Sequence, residues 1–66
     1  MEEYQKRVVE EKLELDVKAK ALSNFIGLGN EFESIDSVEQ ELIKEQCEIM
    51  WQYSEILEKR IASFKN

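Results

Sequence analysis

Apolar residues fall at helical spacing along most of this chain. Met1, Tyr4, Val8, Leu15, Leu22 and Phe25 recur at three- and four-residue steps and their multiples, with Ala19 and Ile26 beside them. Nothing between residues 2 and 26 breaks a helix, because that stretch holds neither glycine nor proline. The expected apolar residue near 11 or 12 is missing, and Glu11 and Lys12 stand there instead. A second line, Val9, Leu13, Val17 and Ala21, runs down the other side of the same helix.

Gly27-Leu28-Gly29-Asn30 ends that pattern. Gly27 is placed to supply a left-handed C-cap, and Gly29-Asn30 continues the turn. Glu31 to Ser34 reads as a polar loop with Phe32 tucked inward. Asp36 with Glu39, or Ser37 with Gln40, has the spacing of a capping box.

From about residue 36 to about 64 the helical pattern resumes. One stripe is Ile35, Val38, Leu42, Ile49, Tyr53, Ile56 and Phe64, interrupted by Gln46 and Arg60. Another is Ile43, Cys47, Met50, Leu57 and Ile61, with Trp51 at its edge. The two stripes lie about 100° apart on the helical wheel. The pattern predicts an all-α chain: helix one over about 2–26, a turn over 27–35, and helix two over about 36–64. The simplest arrangement is an antiparallel two-helix hairpin forming one domain over 1–66. Such a hairpin covers one stripe per helix, which leaves Val9-Leu13-Val17 and Ile43-Met50-Leu57-Ile61 as the expected wet lines.

Length sharpens that surplus. Sixty-six residues make one small domain, and chains this short usually need a disulfide, a metal or oligomerisation for support. One cysteine, Cys47, rules out an internal disulfide; it sits in an apolar stripe as a small core residue. With no histidine, a structural zinc site is not expected. Oligomerisation is the support that remains, so the extra stripes are expected to meet other copies of the chain. The alternative is a hairpin that docks onto a larger host protein; the second functional reading is a small oligomeric adaptor that grips a host protein through an apolar helix face.

Composition also narrows function. No apolar run approaches the ~18 residues of a membrane span, and the acidic start Met1-Glu2-Glu3 is unlike a signal peptide. A reducing cytoplasm is the expected home, with no membrane partner. A net charge of −6 argues against binding DNA or RNA polymers. No nucleophile–base pair is recognisable. Carboxylate pairs such as Glu10/Glu14 and Glu41/Glu45 read as solvated helix faces, and the Glu-x-x-His repeats of a metal-carboxylate bundle are absent. No catalytic residue, metal or cofactor is expected, and an enzyme is the class these residues support least.

Charge is not spread evenly. Residues 30–48 carry Glu31, Glu33, Asp36, Glu39, Glu41, Glu45 and Glu48 against Lys44 alone. The chain ends carry Lys6, Arg7, Lys12, Lys59, Arg60 and Lys65. A hairpin brings Tyr4 and Arg7 close to Arg60 and Phe64, where the positive end of the first helix dipole also lies. Aromatic faces and guanidinium groups are what a nucleotide's bases and phosphates require. The plainer reading is that Tyr4 begins the core stripe, that Arg7 and Lys12 pair with Glu3, Glu11 or Asp16, and that Arg60 pairs with a carboxylate such as Glu11.

The run Tyr4-Gln5-Lys6-Arg7-Val8-Val9-Glu10-Glu11-Lys12-Leu13-Glu14-Leu15-Asp16, with Leu22 and Phe25-Ile26, resembles a family of very small phage proteins. So do Glu39-Gln40-Glu41-Leu42, Tyr53-Ser54-Glu55-Ile56-Leu57 and Arg60-Ile61. The family is the helical hairpin shared by phage anti-CBASS cyclic-nucleotide sponges and the N-terminal part of anti-Thoeris sponges. The resemblance implies interlocked hairpins in a homohexamer. It implies binding of cyclic dinucleotides, and in some members cyclic trinucleotides, with the signal sequestered and not cleaved. It places the protein in the cytoplasm of the infected bacterial host. The family's dinucleotide pocket uses a tyrosine near the N-terminus, matched by Tyr4, and a lysine further along, for which Lys12 is the choice and Lys18 the alternative. Arg7, Val8 and Glu11 complete the candidate ligand-binding set beside them. Arg60 is the candidate cation for a trinucleotide pocket.

Overall fold

The computed structural model describes residues 1–65. It is all-helical, with α1 over Glu3–Ile26, α2 over Asn30–Glu33 and α3 over Ser37–Ala62. Its extents are 49 × 15 × 13 Å, a rod two helices across. Contacts between α1 and α3 pair rising numbers on one helix with falling numbers on the other: Tyr4 with Phe64, Asp16 with Ser54, Ser23 with Cys47. The two helices therefore run in opposite directions. No helix among the described residues is long and apolar enough to cross a membrane.

The helix ends show where local chemistry decided the outcome. At the start of α1 the Glu2 backbone N–H donates to Gln5 Oε1 at 2.9 Å, which satisfies one of the free donors of a helix N-terminus. At its end, Gly27 is not left-handed; it stays right-handed at φ −80°. Its N–H is shared between the Ser23 and Asn24 carbonyls, at 3.2 and 3.1 Å, so the last turn tightens before the chain turns away. The left-handed residue is Gly29, at φ 71°.

The stretch expected to be a polar loop is instead the single turn α2. The Glu33 N–H reaches the Gly29 carbonyl at 2.8 Å and the Ser34 N–H reaches Asn30 at 3.0 Å. Phe32 is buried, as its apolar character requires. Its ring meets Phe25 edge-on at 5.9 Å, and Lys44 Nζ stands over it, 5.9 Å from its centroid. Phe32 thus ties the turn to both long helices.

Neither predicted capping box starts α3. Asp36 caps it by accepting from the Val38 N–H at 3.1 Å. Gln40 reaches back to the carbonyls of Ile35 and Glu33, at 2.6 and 3.2 Å, and fastens the helix to the turn before it. α3 stops at Ala62, with Lys59 and Arg60 in its last turn, where cations offset the helix dipole.

The core is small. Val8, Leu15 and Leu57 form its centre, with Met50, Ile61 and Phe64 packed around them. Ala19 and Cys47 are buried against each other, with Cys47 Sγ 3.9 Å from the Ala19 carbonyl oxygen. The inward line of α3 is therefore Cys47, Met50, Ser54, Leu57 and Ile61. This reverses part of the expectation: the wet line of the second helix is the other stripe, Val38, Leu42, Ile49, Tyr53 and Ile56, every one exposed. On α1 the expected outward line holds at Leu13 and at Val17, which is 70% exposed.

Candidate functional site

At the tip formed by the chain ends, the Tyr4 and Phe64 rings meet edge-on, 5.8 Å apart at 78°. Phe64 is half-buried against the core, whereas Tyr4 remains 55% exposed. Tyr4 therefore neither sits in the core stripe nor stands free. One edge is anchored and the rest of the ring is available to stack. Arg7 lies one turn along α1 from Tyr4, and Arg60, in the last turn of α3, precedes Phe64 by four residues, so both cations stand at the same tip as the aromatic pair. Both are exposed. Among the described residues the ion pairs are Lys12–Asp16, Lys44–Glu41 and Lys59–Glu55, and neither arginine belongs to one. Arg60 thus does not pair with Glu11, which is itself exposed. Val8 is buried beneath this surface and supports it from the core side.

Lys12 fills the gap in the α1 apolar stripe by reaching across to α3. Its Nζ donates to Asp16 Oδ2 at 2.8 Å and to Ser54 Oγ at 3.1 Å. Ser54 Oγ in turn donates to Asp16 Oδ1. The three side chains close a ring of hydrogen bonds between the helices, and Ser54 is 4% exposed within it. Lys12, donating to one carboxylate oxygen, and Ser54, donating to the other, hold the Asp16 carboxyl below its ordinary 3.8. Stability from this group is fully present above that value and is lost as pH falls through the lowered one, so the ring is intact at neutral and mildly acidic pH. Lys12 retains one N–H outside the ring.

The ring brings a serine, a lysine and an aspartate together, which spacing along the chain did not reveal. It is poorly suited to nucleophilic attack: Ser54 is buried and donates its proton to a carboxylate, and the neighbouring ammonium has no free lone pair to accept it. Two signs of the ring were present in the sequence. Lys12 and Asp16 are four apart, and Ser54 stands at an inward position between Met50 and Leu57.

A second polar bridge lies one heptad further along. Ser23 Oγ and Cys47 Sγ are 3.1 Å apart, and Trp51 Nε1 donates to Ser23 Oγ at 3.0 Å. Beside it Lys18, Ala21, Leu22, Phe25, Gln46 and Met50 line an open, mostly apolar groove of about 410 Å³. Along α1, Lys12 stands ~12 Å from Tyr4 and Lys18 ~21 Å from it. One chain therefore does not gather Tyr4 and Lys18 into a single pocket.

The Sequestin family profile matches residues 2–63. A 7.5 kDa protein from the denB–rIIB intergenic region of Enterobacteria phage T4 is 48% identical over 62 residues, covering 94% of this chain and 95% of the relative. No solved structure matches.

Proposed function

This chain belongs to the Sequestin family, and on that premise we propose that it is a phage sponge that binds cyclic di- or trinucleotide immune signals and holds them without cleaving them. The observation that carries this reading is the tip: an exposed tyrosine face anchored on Phe64, with two arginines at the same end that have no carboxylate partner among the described residues. A base stacks on the ring and phosphate oxygens accept from the guanidinium groups. The hairpins assemble through their outer apolar stripes into a homo-oligomer, six chains by the resemblance to the sponges. Pockets form between protomers, where Tyr4 of one chain and Lys12 or Lys18 of another can meet one ligand. The protein works in the cytoplasm of the infected bacterium.

Titration calorimetry against a panel of cyclic di- and trinucleotides tests the reading, and heat from none of them refutes it. Tyr4→Ala is expected to weaken binding by roughly 1–3 kcal/mol, the scale of base–aromatic stacking. Arg7→Ala or Arg60→Ala removes a charge-assisted phosphate bond, a loss of roughly 1.5–3 kcal/mol. These exposed side chains lie outside the core, so the variants should keep wild-type helicity and mass. Unchanged titrations in all three variants would move the site away from the tip.

A further inference from the structure

We propose that the Lys12–Asp16–Ser54 ring and the Ser23–Cys47–Trp51 bridge together form a register lock, selecting one alignment of α1 against α3. The two bridges share one alignment. Moving seven residues up α1, from Asp16 to Ser23, corresponds to moving seven down α3, from Ser54 to Cys47.

Apolar packing along the α1–α3 seam does not by itself select this alignment. Val8, Leu15 and Leu22 repeat every seven residues on α1, and Ile43, Met50 and Leu57 do so on α3. A slip of one heptad, ~10.5 Å, sets leucine against methionine or leucine again. The connection does not forbid it, because the ten residues 27–36 extend to ~33 Å once α2 unwinds. The polar groups are what a slip disrupts. One slip sets Asp16 opposite Cys47 and Ser54 opposite Val9; the other sets Asp16 opposite Ile61. Either strips the buried Ser54 of both Asp16 and Lys12, which keep only each other within α1, and so dissolves the ring. A polar contact in an apolar seam is a well-attested way to choose helix register. The lock also sets the tip, since a slip would part Tyr4 from Phe64 and Arg7 from Arg60.

Disulfide trapping in the full chain tests this. Ser23→Cys puts a thiol beside Cys47 in the observed register, so glutathione-buffered oxidation should close an intrachain disulfide, identified by peptide mass mapping. Adding Ser54→Ala, or the shape-conserving Asp16→Asn, should lower the effective concentration of that thiol pair at least about twofold while far-UV helicity is retained. Asp16→Cys breaks the ring and reports the slipped register, because the new thiol reaches Cys47 only after a one-heptad shift; otherwise the two are too far apart along the helices to bond. Its intrachain disulfide should form. Unchanged trapping in the ring-broken chains with no slipped disulfide would overturn the lock. Trapping that falls only together with helicity would also overturn it, showing that the ring stabilises the hairpin without choosing its register.

Discussion

At micromolar concentration the protein is expected to sediment as a stable oligomer, and Ile49→Glu is expected to dissociate it. Leu42, Ile49 and Ile56 are exposed on α3 and spaced by seven, with Val38 and Tyr53 alongside. That is the spacing of a helix–helix seam. Complete burial of each aliphatic among them contributes about 1.5–3 kcal/mol, and a contiguous exposed apolar stripe marks an interaction surface. A glutamate at the centre of the stripe must either lose its hydration or hold the chains apart. Ser37→Asp, exposed at the start of the same helix and off the stripe, adds the same charge and should leave the mass unchanged. With so small a core, support is expected from neighbouring chains, so Ile49→Glu should lower helicity together with mass. Sedimentation equilibrium checks both variants. A wild-type mass of 7.8 kDa, that of one chain, would refute assembly and favour an adaptor whose stripe waits for another protein.

The helices could be read from spacing and from the absence of breakers, but which face turns inward could not. Both lines on α3 are about equally apolar, so hydrophobicity does not decide between them. Small and polar residues do: Ala19 and Cys47 are buried against each other, and Ser54 finds Lys12 and Asp16 across the seam. Those partners lie 38 to 42 residues away in sequence, beyond the reach of local patterns. Gln40 departs from its local pattern for a related reason. Its spacing from Ser37 suits a capping box, yet the turn before α3 offers the carbonyls of Glu33 and Ile35, and the amide donates to those. Gly27 and Gly29 are both suited to a left-handed turn, and only the geometry of the turn separates them. At the tip, the Tyr4–Phe64 contact followed from opposed helices of similar length. The engagement of Lys12 with Asp16 was one of the pairings local spacing allowed, and Ser54 as its third member was not.

Inhibition of signalling is expected to be stoichiometric, with the ligand recovered intact. Phosphodiester hydrolysis usually needs a metal or an acid–base pair to activate water and protonate the leaving oxygen. This sequence has no histidine. The serine, lysine and aspartate that the fold brings together satisfy one another and leave no free base beside the buried hydroxyl. On the proposed reading the tip supplies affinity alone: a ring face and cations, with a second chain expected to exclude water and strengthen each phosphate contact. Free cyclic nucleotide titrated into the protein should therefore stay near zero until the sites fill and then rise linearly. Heat or protease should return the cyclic species, identified by mass spectrometry. Tyr4→Ala should make the break in the curve more gradual without introducing any linear product. If linear nucleotide appears, or if one protein molecule removes hundreds of signal molecules, the protein turns its ligand over and is not a sponge.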